Sequence, residues 1–304
     1  MNTFAPVVIF AYRRPDHLRA TLTSLMRCEG FADSPIIVYG DGPRNEREVA
    51  SVRATRELAQ SMLGDRAEYH FSEENRGLSR SVIAGVSHTV NQFGRAIVVE
   101  DDLELSPSFL TFMNQALDRY ASDDRVFQIS GYQFDVPELK DTASALFLPF
   151  TVSWGWATWK RAWAHFDPLA SGWEKLRADK DLRRRFNLDG VYDYATMLVR
   201  QMSGLRDSWA VRWYWTVFQE KGLVLFPPTS LVSNTGFDGS GTHGRGLFGK
   251  FSKIKSILSS ADFDLPVVVL LDVALYNPVK RALWRQNGGW ANHAAGYIRG
   301  WLKL

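Results

Sequence analysis

Arg95-Ala-Ile-Val-Val-Glu100-Asp101-Asp102 is the most informative segment of the chain, because an apolar run ends there in three consecutive acids. The apolar part predicts a strand covered on both faces, and the end of such a strand lies at the sheet edge where ligands bind. Three neighbouring carboxylates repel one another unless they are solvated, hydrogen-bonded or neutralised by a cation. The segment therefore indicates a Mg²⁺ or Mn²⁺ site, with a solvated acidic loop as the alternative.

On both sides of this segment, apolar runs alternate with stretches of helical spacing. The runs predict strands at 6–12, 35–39, 67–71, 95–100, 126–130, 145–152 and 223–226. Helices are predicted from Pro15, over 45–63, up to Phe93 and from Ser106 onward. This alternation is typical of α/β proteins, and we expect a Rossmann-like, mostly parallel sheet flanked by helices.

Composition argues against several classes of protein. The net charge of +3 and the isoelectric point near 8.9 are too weakly basic to indicate nucleic-acid binding. Cys28 is the single cysteine and cannot form an internal disulfide, so a cytoplasmic location is expected. The apolar start lacks the basic residues of a signal peptide, and the apolar run 266–276 is too short to span a bilayer. We expect a protein that is soluble or peripheral to a membrane.

The residues around the acids resemble a known family. The stretch Val98–Phe109 is similar to the Glu-Asp-Asp segment of the N-acetylglucosaminyltransferase I relatives among the GT-A glycosyltransferases. Three more segments resemble that family in the same order: the first strand with Arg14, the acid Asp41 after the second strand, and Asn75-Arg-Gly-Leu-Ser-Arg80. The four segments cover roughly residues 6–130.

This resemblance implies a metal-dependent glycosyltransferase with a nucleotide-diphosphate sugar as its donor. It implies that Arg14 and Asp41 lie near the nucleoside base and that Asp101 lies near the ribose or the sugar. Asp102 would be the direct metal ligand, with Glu100 beside it at the donor. The whole would have the GT-A type of fold.

The Asn-Arg-Gly segment carries further donor-binding candidates, namely Asn75, Arg76 and Arg80. One position departs from the family, because Ser81 stands where the family has a histidine. A uridine base and an N-acetylglucosamine donor are therefore not implied. The resemblance also includes Trp154-Gly155-Trp156, which would form the floor under the sugar or pack in the core.

The resemblance extends to an acid-tryptophan step at Asp207-Ser-Trp209. In the family this acid is the base that deprotonates the acceptor hydroxyl, so Asp207 would be the general base of an inverting displacement. An N-cap of the following helix is the alternative role for Asp207. The glycine-rich stretch 233–244 predicts a loop that closes over the donor, and His243 within it is a candidate metal or diphosphate ligand.

These features predict three parts: a donor-binding subdomain over 1–130, an acceptor-side catalytic subdomain over 131–250, and a basic helical tail over 251–304. Many of the eleven tryptophans lie in the second part, either as core residues or as a sugar-stacking platform. From Val273 onward the chain has no acid but several basic residues and tryptophans. This composition suits a segment at a membrane interface, with a tail packed on the protein as the alternative.

A membrane-bound tail would imply a lipid-linked glycan as acceptor, as in bacterial surface-polysaccharide assembly at the inner face of the cell membrane. Two other functions compete with a glycosyltransferase. A sugar nucleotidyltransferase shares the sheet and the metal, but Ala11-Tyr-Arg-Arg-Pro15 follows the first strand in place of its glycine-rich phosphate loop. A non-catalytic carbohydrate- or membrane-binding protein would explain the tryptophans and the tail, but not the three acids.

Overall fold

The computed structural model describes residues 4–139, 143–236 and 263–286. In chain order the strands are β1 (Val7–Ala11), β2 (Ile36–Gly40), β3 (Ala67–Phe71), β4 (Arg95–Glu100), β5 (Leu103–Leu105), β6 (Val126–Ser130), β7 (Leu146–Leu148), β8 (Trp156–Trp159), β9 (Leu223–Phe226) and β10 (Val232–Asn234). The α-helices are α1 (Pro15–Leu25), α2 (Glu46–Leu63), α3 (Leu78–Phe93), α4 (Phe109–Arg119), α5 (Lys160–Trp163), α6 (Lys175–Ala178), α7 (Lys180–Phe186), α8 (Tyr194–Met202), α9 (Trp209–Gln219) and α10 (Val273–Gln286).

Eight strands form one mixed sheet in the order β3-β2-β1-β4-β8-β6-β9-β7. The first four are parallel to one another, with α1, α2 and α3 between them in the chain. This half confirms the predicted α/β fold. Because parallel strands share a direction, their carboxyl ends meet at one edge, where Ala11 pairs with Gly40 and Phe10 with Glu100.

The second half of the sheet begins with β8, which is antiparallel to β4 on one side and to β6 on the other. Beyond it, β9 is parallel to β6 and β7 is antiparallel to β9. The sheet thus includes strands from both sides of the predicted boundary at residue 130. The predicted strand 145–152 is shorter than expected and ends just before Pro149, which has no N–H to donate to a ladder.

A second, two-stranded sheet pairs β5 with β10 in antiparallel register, with Leu103 opposite Asn234. Neither of these short strands was predicted. Their pairing brings the residues after Asn234 over the start of β5, directly beside Asp102. The small sheet therefore links the acidic segment to a part of the chain more than a hundred residues away.

The core is built on the central strands. All five residues of β1 are buried, as are Ala96 to Val99 of β4, which agrees with a strand covered on both faces. Most of the described tryptophans also belong to the core. Those with at most 5% exposure are Trp156, Trp159, Trp163, Trp209, Trp213 and Trp215. For these six, the core-packing interpretation is confirmed.

The last described helix, α10, packs on the body of the protein through Val279, Ala282 and Leu283. Two of its basic side chains make ion pairs there: Lys280 with Asp189 and Arg281 with Glu138, each at 2.8 Å. Just before α10, the apolar side chains of Val267, Val268 and Leu270 are 62–82% exposed. Within the described ranges, no helix combines the length and the apolar composition that crossing a membrane requires.

Candidate active site

A pocket opens at the carboxyl edge of the parallel half of the sheet. Its wall contains the ends of β1, β2 and β4 and the beginning of α3. Residues from all four segments of the family resemblance line it: Arg14, Asp41, Asn75, Glu100 and Asp101. The structure therefore brings together side chains that are spread over almost ninety residues of sequence.

Two of the three acids, Asp101 and Asp102, bind the same guanidinium. The Nη2 atom of Arg14 donates to the Asp101 carboxylate and, at 2.9 Å, to Oδ2 of Asp102. Asp101 and Asp102 are buried, and Glu100 is partly buried. Desolvation at the strand end, reinforced by the charges of Asp102 and Asp101, raises the pKa of Glu100 to about 8. Desolvation also raises the pKa of Asp101. Arg14 alone therefore does not keep Glu100 ionised at neutral pH.

Asp102 is held from the side of β10. Its backbone carbonyl accepts from Thr235 N at 2.8 Å and from Thr235 Oγ1 at 3.1 Å. The backbone of Gly236 lies so close that a Cβ at that position would be 2.2 Å from Asp102 Oδ2. Asn234 Nδ2 also donates to Asp102 Oδ1, over a longer distance of 3.5 Å. Glycine is therefore required at 236 for the carboxylate to keep its place.

The acidic segment fits a hard divalent cation. It offers carboxylate oxygens, the ligands that Mg²⁺ and Mn²⁺ prefer, and a nearby cation would favour the ionised forms of Glu100 and Asp101, whose pKa values are raised without it. The three acids are not a group whose ligand oxygens all lie within 4.8 Å of one another. A cation would thus be bound by one or two of them, Asp102 first, and would complete its shell with phosphate oxygens and water.

Asp41 closes a turn on the opposite side of the pocket. Its Oδ1 accepts from the backbone N–H groups of Gly42 and Arg76, at 2.9 and 2.8 Å. Its Oδ2 accepts from Gly77 N at 2.9 Å and from Asn75 Nδ2 at 3.1 Å. Four donors therefore occupy this carboxylate, which has about four acceptor positions. Asp41 fixes the Asn-Arg-Gly turn and lines the pocket at the same time.

A polar cluster that was not predicted from the sequence lies on the wall formed after β1. Tyr12 Oη donates to Glu48, which also accepts from Arg13 Nη1 at 2.9 Å and from Arg44 N at 3.0 Å. Desolvation, followed by the bond to Glu48, raises the pKa of Tyr12 to about 12. The Arg44 guanidinium lies over the Tyr12 ring, 5.6 Å from its centroid. Ser81, at the position where the family has histidine, lines the same pocket.

Asp207 lies at the N-terminus of α3. Its Oδ2 accepts from Ser79 N at 3.3 Å and is 3.1 Å from the place that a Cβ on Gly77 would take. The alternative role of Asp207, an N-cap of the following helix, is wrong, because Ser208 is the N-cap residue of α9 and makes no side-chain cap bond. Asp207 instead caps α3 from a distant part of the chain, next to the turn that Asp41 fixes.

The other predicted site residues are placed as follows. Arg76 and Arg80 are exposed near the α3 N-terminus. Trp156 has no exposed surface and stacks on Trp209 with ring centroids 5.1 Å apart, so the structure places it in the core and not on the pocket surface. Gly155 is buried and Trp154 is partly exposed. His243 lies outside the described residues.

Comparison with known proteins adds a family. The sequence matches the model of Glycosyl transferase family 2 over residues 7–202, which is more than half of the chain. The specific resemblance to the N-acetylglucosaminyltransferase I relatives is not confirmed by this match, which also favours neither the nucleotidyltransferase nor the non-catalytic alternative.

Similar solved structures share 12% sequence identity with the chain. TarS from S. aureus has a TM-score of 0.28, over 41% of this chain and 20% of TarS, so the chain spans a fifth of that protein. The mannosyltransferase PcManGT from Pyrobaculum calidifontis, solved with GDP-Man and Mn²⁺, has a TM-score of 0.38 over 72% of this chain and 73% of that one. Mouse xyloside xylosyltransferase 1 has 0.37, over 71% and 82%. By its family match, the chain belongs to glycosyl transferase family 2 and is a glycosyltransferase.

Proposed function

We propose that this glycosyltransferase takes its sugar from a nucleotide-diphosphate donor bound in the pocket, with Mn²⁺ or Mg²⁺ at Asp102. The observation that carries the proposal is the acidic segment at the edge of the pocket, where Arg14 binds Asp101 and Asp102 and the pKa of Glu100 is raised to about 8. A divalent cation bound there would stabilise the ionised carboxylates and would hold the donor diphosphate. When bound, the ion neutralises the charge that develops on the departing diphosphate.

The chain's own residues would orient the donor. Arg14 holds the carboxylates of Asp101 and Asp102 in place, and Asp41 holds the turn that carries Asn75. The Tyr12 ring and the Arg44 guanidinium form a flat cationic and aromatic wall, which suits a nucleobase. Such fixed groups lower the barrier by positioning the reactants.

We assign the general base to Asp207 in an inverting displacement. Its carboxylate is exposed and lies beside the turn at Gly77, one residue from the pocket-lining Leu78. In this step the acceptor hydroxyl loses its proton to Asp207 while its oxygen bonds to the anomeric carbon and the bond to the diphosphate breaks. General base catalysis of this kind contributes about 10²–10⁴-fold to the rate.

For the acceptor, we propose a glycan or a lipid-linked glycan in bacterial surface-polysaccharide assembly, with the protein peripheral at the inner face of the cell membrane. Two features support a membrane contact. The tail carries basic residues and tryptophans without acids, and the exposed apolar side chains of Val267, Val268 and Leu270 lie just before α10. Apolar and basic side chains together favour an anionic lipid surface.

The proposal is tested by screening donors for metal-dependent release of nucleoside diphosphate. We expect the metal-stripped protein to hydrolyse or transfer from one of a set of UDP-, GDP- and dTDP-sugars only after Mn²⁺ or Mg²⁺ is restored. Asp102→Asn should lower that rate by about 10²–10³-fold, because an electrostatic contact to the leaving group is lost. Glu104→Gln, an exposed acid of the same segment, is the control and should keep the rate. Turnover without metal, or a fully active Asp102→Asn variant, would contradict the proposed metal site.

A further inference from the structure

We propose that Glu68, His70 and His88 form a second metal site, selective for Zn²⁺ and similar transition ions and separate from the acidic segment at Asp102. Their ligand atoms all lie within 4.8 Å of one another, and no other group of three His, Cys, Asp or Glu residues in the described ranges is arranged in this way. Glu68 and His70 are on β3, and His88 is on α3. The site joins the edge strand of the sheet to the helix that packs on it.

His70 Nε2 lies beside a carboxylate without forming a hydrogen bond of normal geometry. Nε2 lies 2.7 Å from Glu68 Oε1, yet the contact lacks hydrogen-bond geometry, and this buried nitrogen has no hydrogen-bond partner among the described residues. Leaving a buried nitrogen without a partner costs free energy. A cation between the imidazole and the carboxylate would satisfy both groups.

Of the three proposed ligands, His70 is held in place by its neighbours, whereas the side chains of Glu68 and His88 can rotate. The His70 ring stacks on Tyr39, with centroids 4.7 Å apart and planes 11° apart. The His88 ring meets it edge-on at 5.6 Å. Bonds of about 2.0–2.2 Å in a tetrahedral Zn²⁺ site put ligand atoms about 3.4 Å apart. Since Glu68 and His88 are exposed, small rotations of their side chains would reach that spacing.

The ligand types separate this site from the one at Asp102. Two imidazoles and one carboxylate suit Zn²⁺, Co²⁺ or Ni²⁺, whereas Mg²⁺ and Mn²⁺ prefer the oxygen ligands of the acidic segment. Three protein ligands also leave a position for water. An isolated ion pair is the simpler arrangement, and the chain contains one for comparison: His165 Nδ1 lies 3.4 Å from Glu220, without a second histidine in a ligand group.

The site would also support the donor pocket. Tyr39, on which His70 stacks, lines the pocket and stacks in turn on Phe10, with centroids 5.5 Å apart. A metal bound by His70 and His88 would fix the outer end of this row of rings. The proposal does not depend on the identity of the donor, because the ligands belong to β3 and α3 alone.

The test is Co²⁺ absorption and Zn²⁺ calorimetry on the full chain without a tag, in excess Mg²⁺ and without nucleotide. We expect one tight site with visible Co²⁺ bands. His88→Ala and Glu68→Gln change exposed residues and should fold, and each should weaken binding by about 10–100-fold. His165→Ala, His243→Ala and Asp102→Asn are the controls and should bind like the wild type. Absence of binding by the wild type, or unchanged affinity in His88→Ala, would overturn the proposal.

Discussion

Gly236 is the residue on which the position of Asp102 depends most directly. A Cβ at 236 would lie 2.2 Å from Asp102 Oδ2 and 3.1 Å from Arg14 Nη1. The carboxylate cannot turn away without losing its bond to Arg14. Gly236→Ala should therefore lower Mn²⁺ affinity and kcat/KM by about 10–100-fold, as expected when a group that orients a metal ligand is disturbed. Overpacking should cost about 1–3 kcal/mol in free energy of unfolding.

Gly64→Ala is the matched control for this substitution. Gly64 has a positive φ of 50° but nothing within 4 Å of an added Cβ. The change should cost about 1–3 kcal/mol in free energy of unfolding, because φ 50° with ψ −136° is a backbone conformation that residues other than glycine rarely adopt, with kcat/KM unchanged. Metal titration and denaturant unfolding of both variants separate the two effects. If Gly236→Ala kept wild-type Mn²⁺ affinity, the assignment of Asp102 as the metal ligand would lose its support.

At the same scale, the sequence predicted which polar residues meet but not what they contact. Arg14, Asp41, Asn75 and the acids follow strands whose carboxyl ends share one edge, so their proximity was predictable. The resemblance implied that Arg14 and Asp41 lie near the nucleoside base. The structure shows Arg14 bonded to Asp101 and Asp102, and all four acceptor positions of Asp41 used by the neighbouring turn. A side-chain contact between distant segments produces no periodic pattern in the sequence, so these contacts could not be predicted from it.

Among the elements, α3 begins at a junction of three parts of the chain. Its N-cap residue, Gly77, has no side chain to satisfy the first N–H groups, and Asp207 accepts from Ser79 N instead. Asn can accept the same bond but cannot serve as a base. Asp207→Asn should therefore keep the stability and lose about 10²–10⁴-fold in kcat. Asp207→Ala should lose the activity and, in addition, about 1 kcal/mol of stability.

Asp193→Ala provides the control for the capping effect. Asp193 is the N-cap of α8, where its side chain accepts from Thr196 N at 3.2 Å. Its loss should cost about 1 kcal/mol of stability, as at other N-caps, with kcat unchanged. Thermal unfolding and steady-state kinetics of the three variants are the measurements. An active Asp207→Asn enzyme would reduce Asp207 to a structural cap.

Sequence periodicity predicted the elements whose own residues carry a clear hydrophobic pattern. The parallel βα units have long apolar runs and helices with regular spacing, and their bounds agree with the structure to within a few residues. Two kinds of element were missed. Strands β5 and β10 have three residues each, too few for a period to show. The antiparallel placement of β8 between β4 and β6 depends on contacts with both partners, which its own four residues do not reveal.

For the molecule as a whole, the contacts of the C-terminal region decide which of its residues are left for a membrane surface. The described part of the tail is attached to the body: α10 buries Val279, Ala282 and Leu283 and pairs Lys280 and Arg281 with acids. Those two basic residues therefore already have partners on the protein. A membrane contact would have to rely on the residues after Gln286 and on the apolar side chains exposed before α10.

Binding to anionic vesicles should therefore depend both on the residues after Gln286 and on the apolar side chains exposed before α10. Truncation after Gln286 removes Arg299 and Lys303 with two tryptophans, and at about 1 kcal/mol per basic residue the partition coefficient should fall by about 30-fold. The double variant Val267→Ser, Leu270→Ser should weaken vesicle binding further. The control is the double variant Leu169→Ser, Leu205→Ser, whose leucines are each 71% exposed, and it should bind vesicles like the wild type. Flotation with anionic and neutral vesicles at two salt concentrations measures this. Equal partitioning of the full and truncated chains would show that the tail serves the protein's own packing and not a lipid surface.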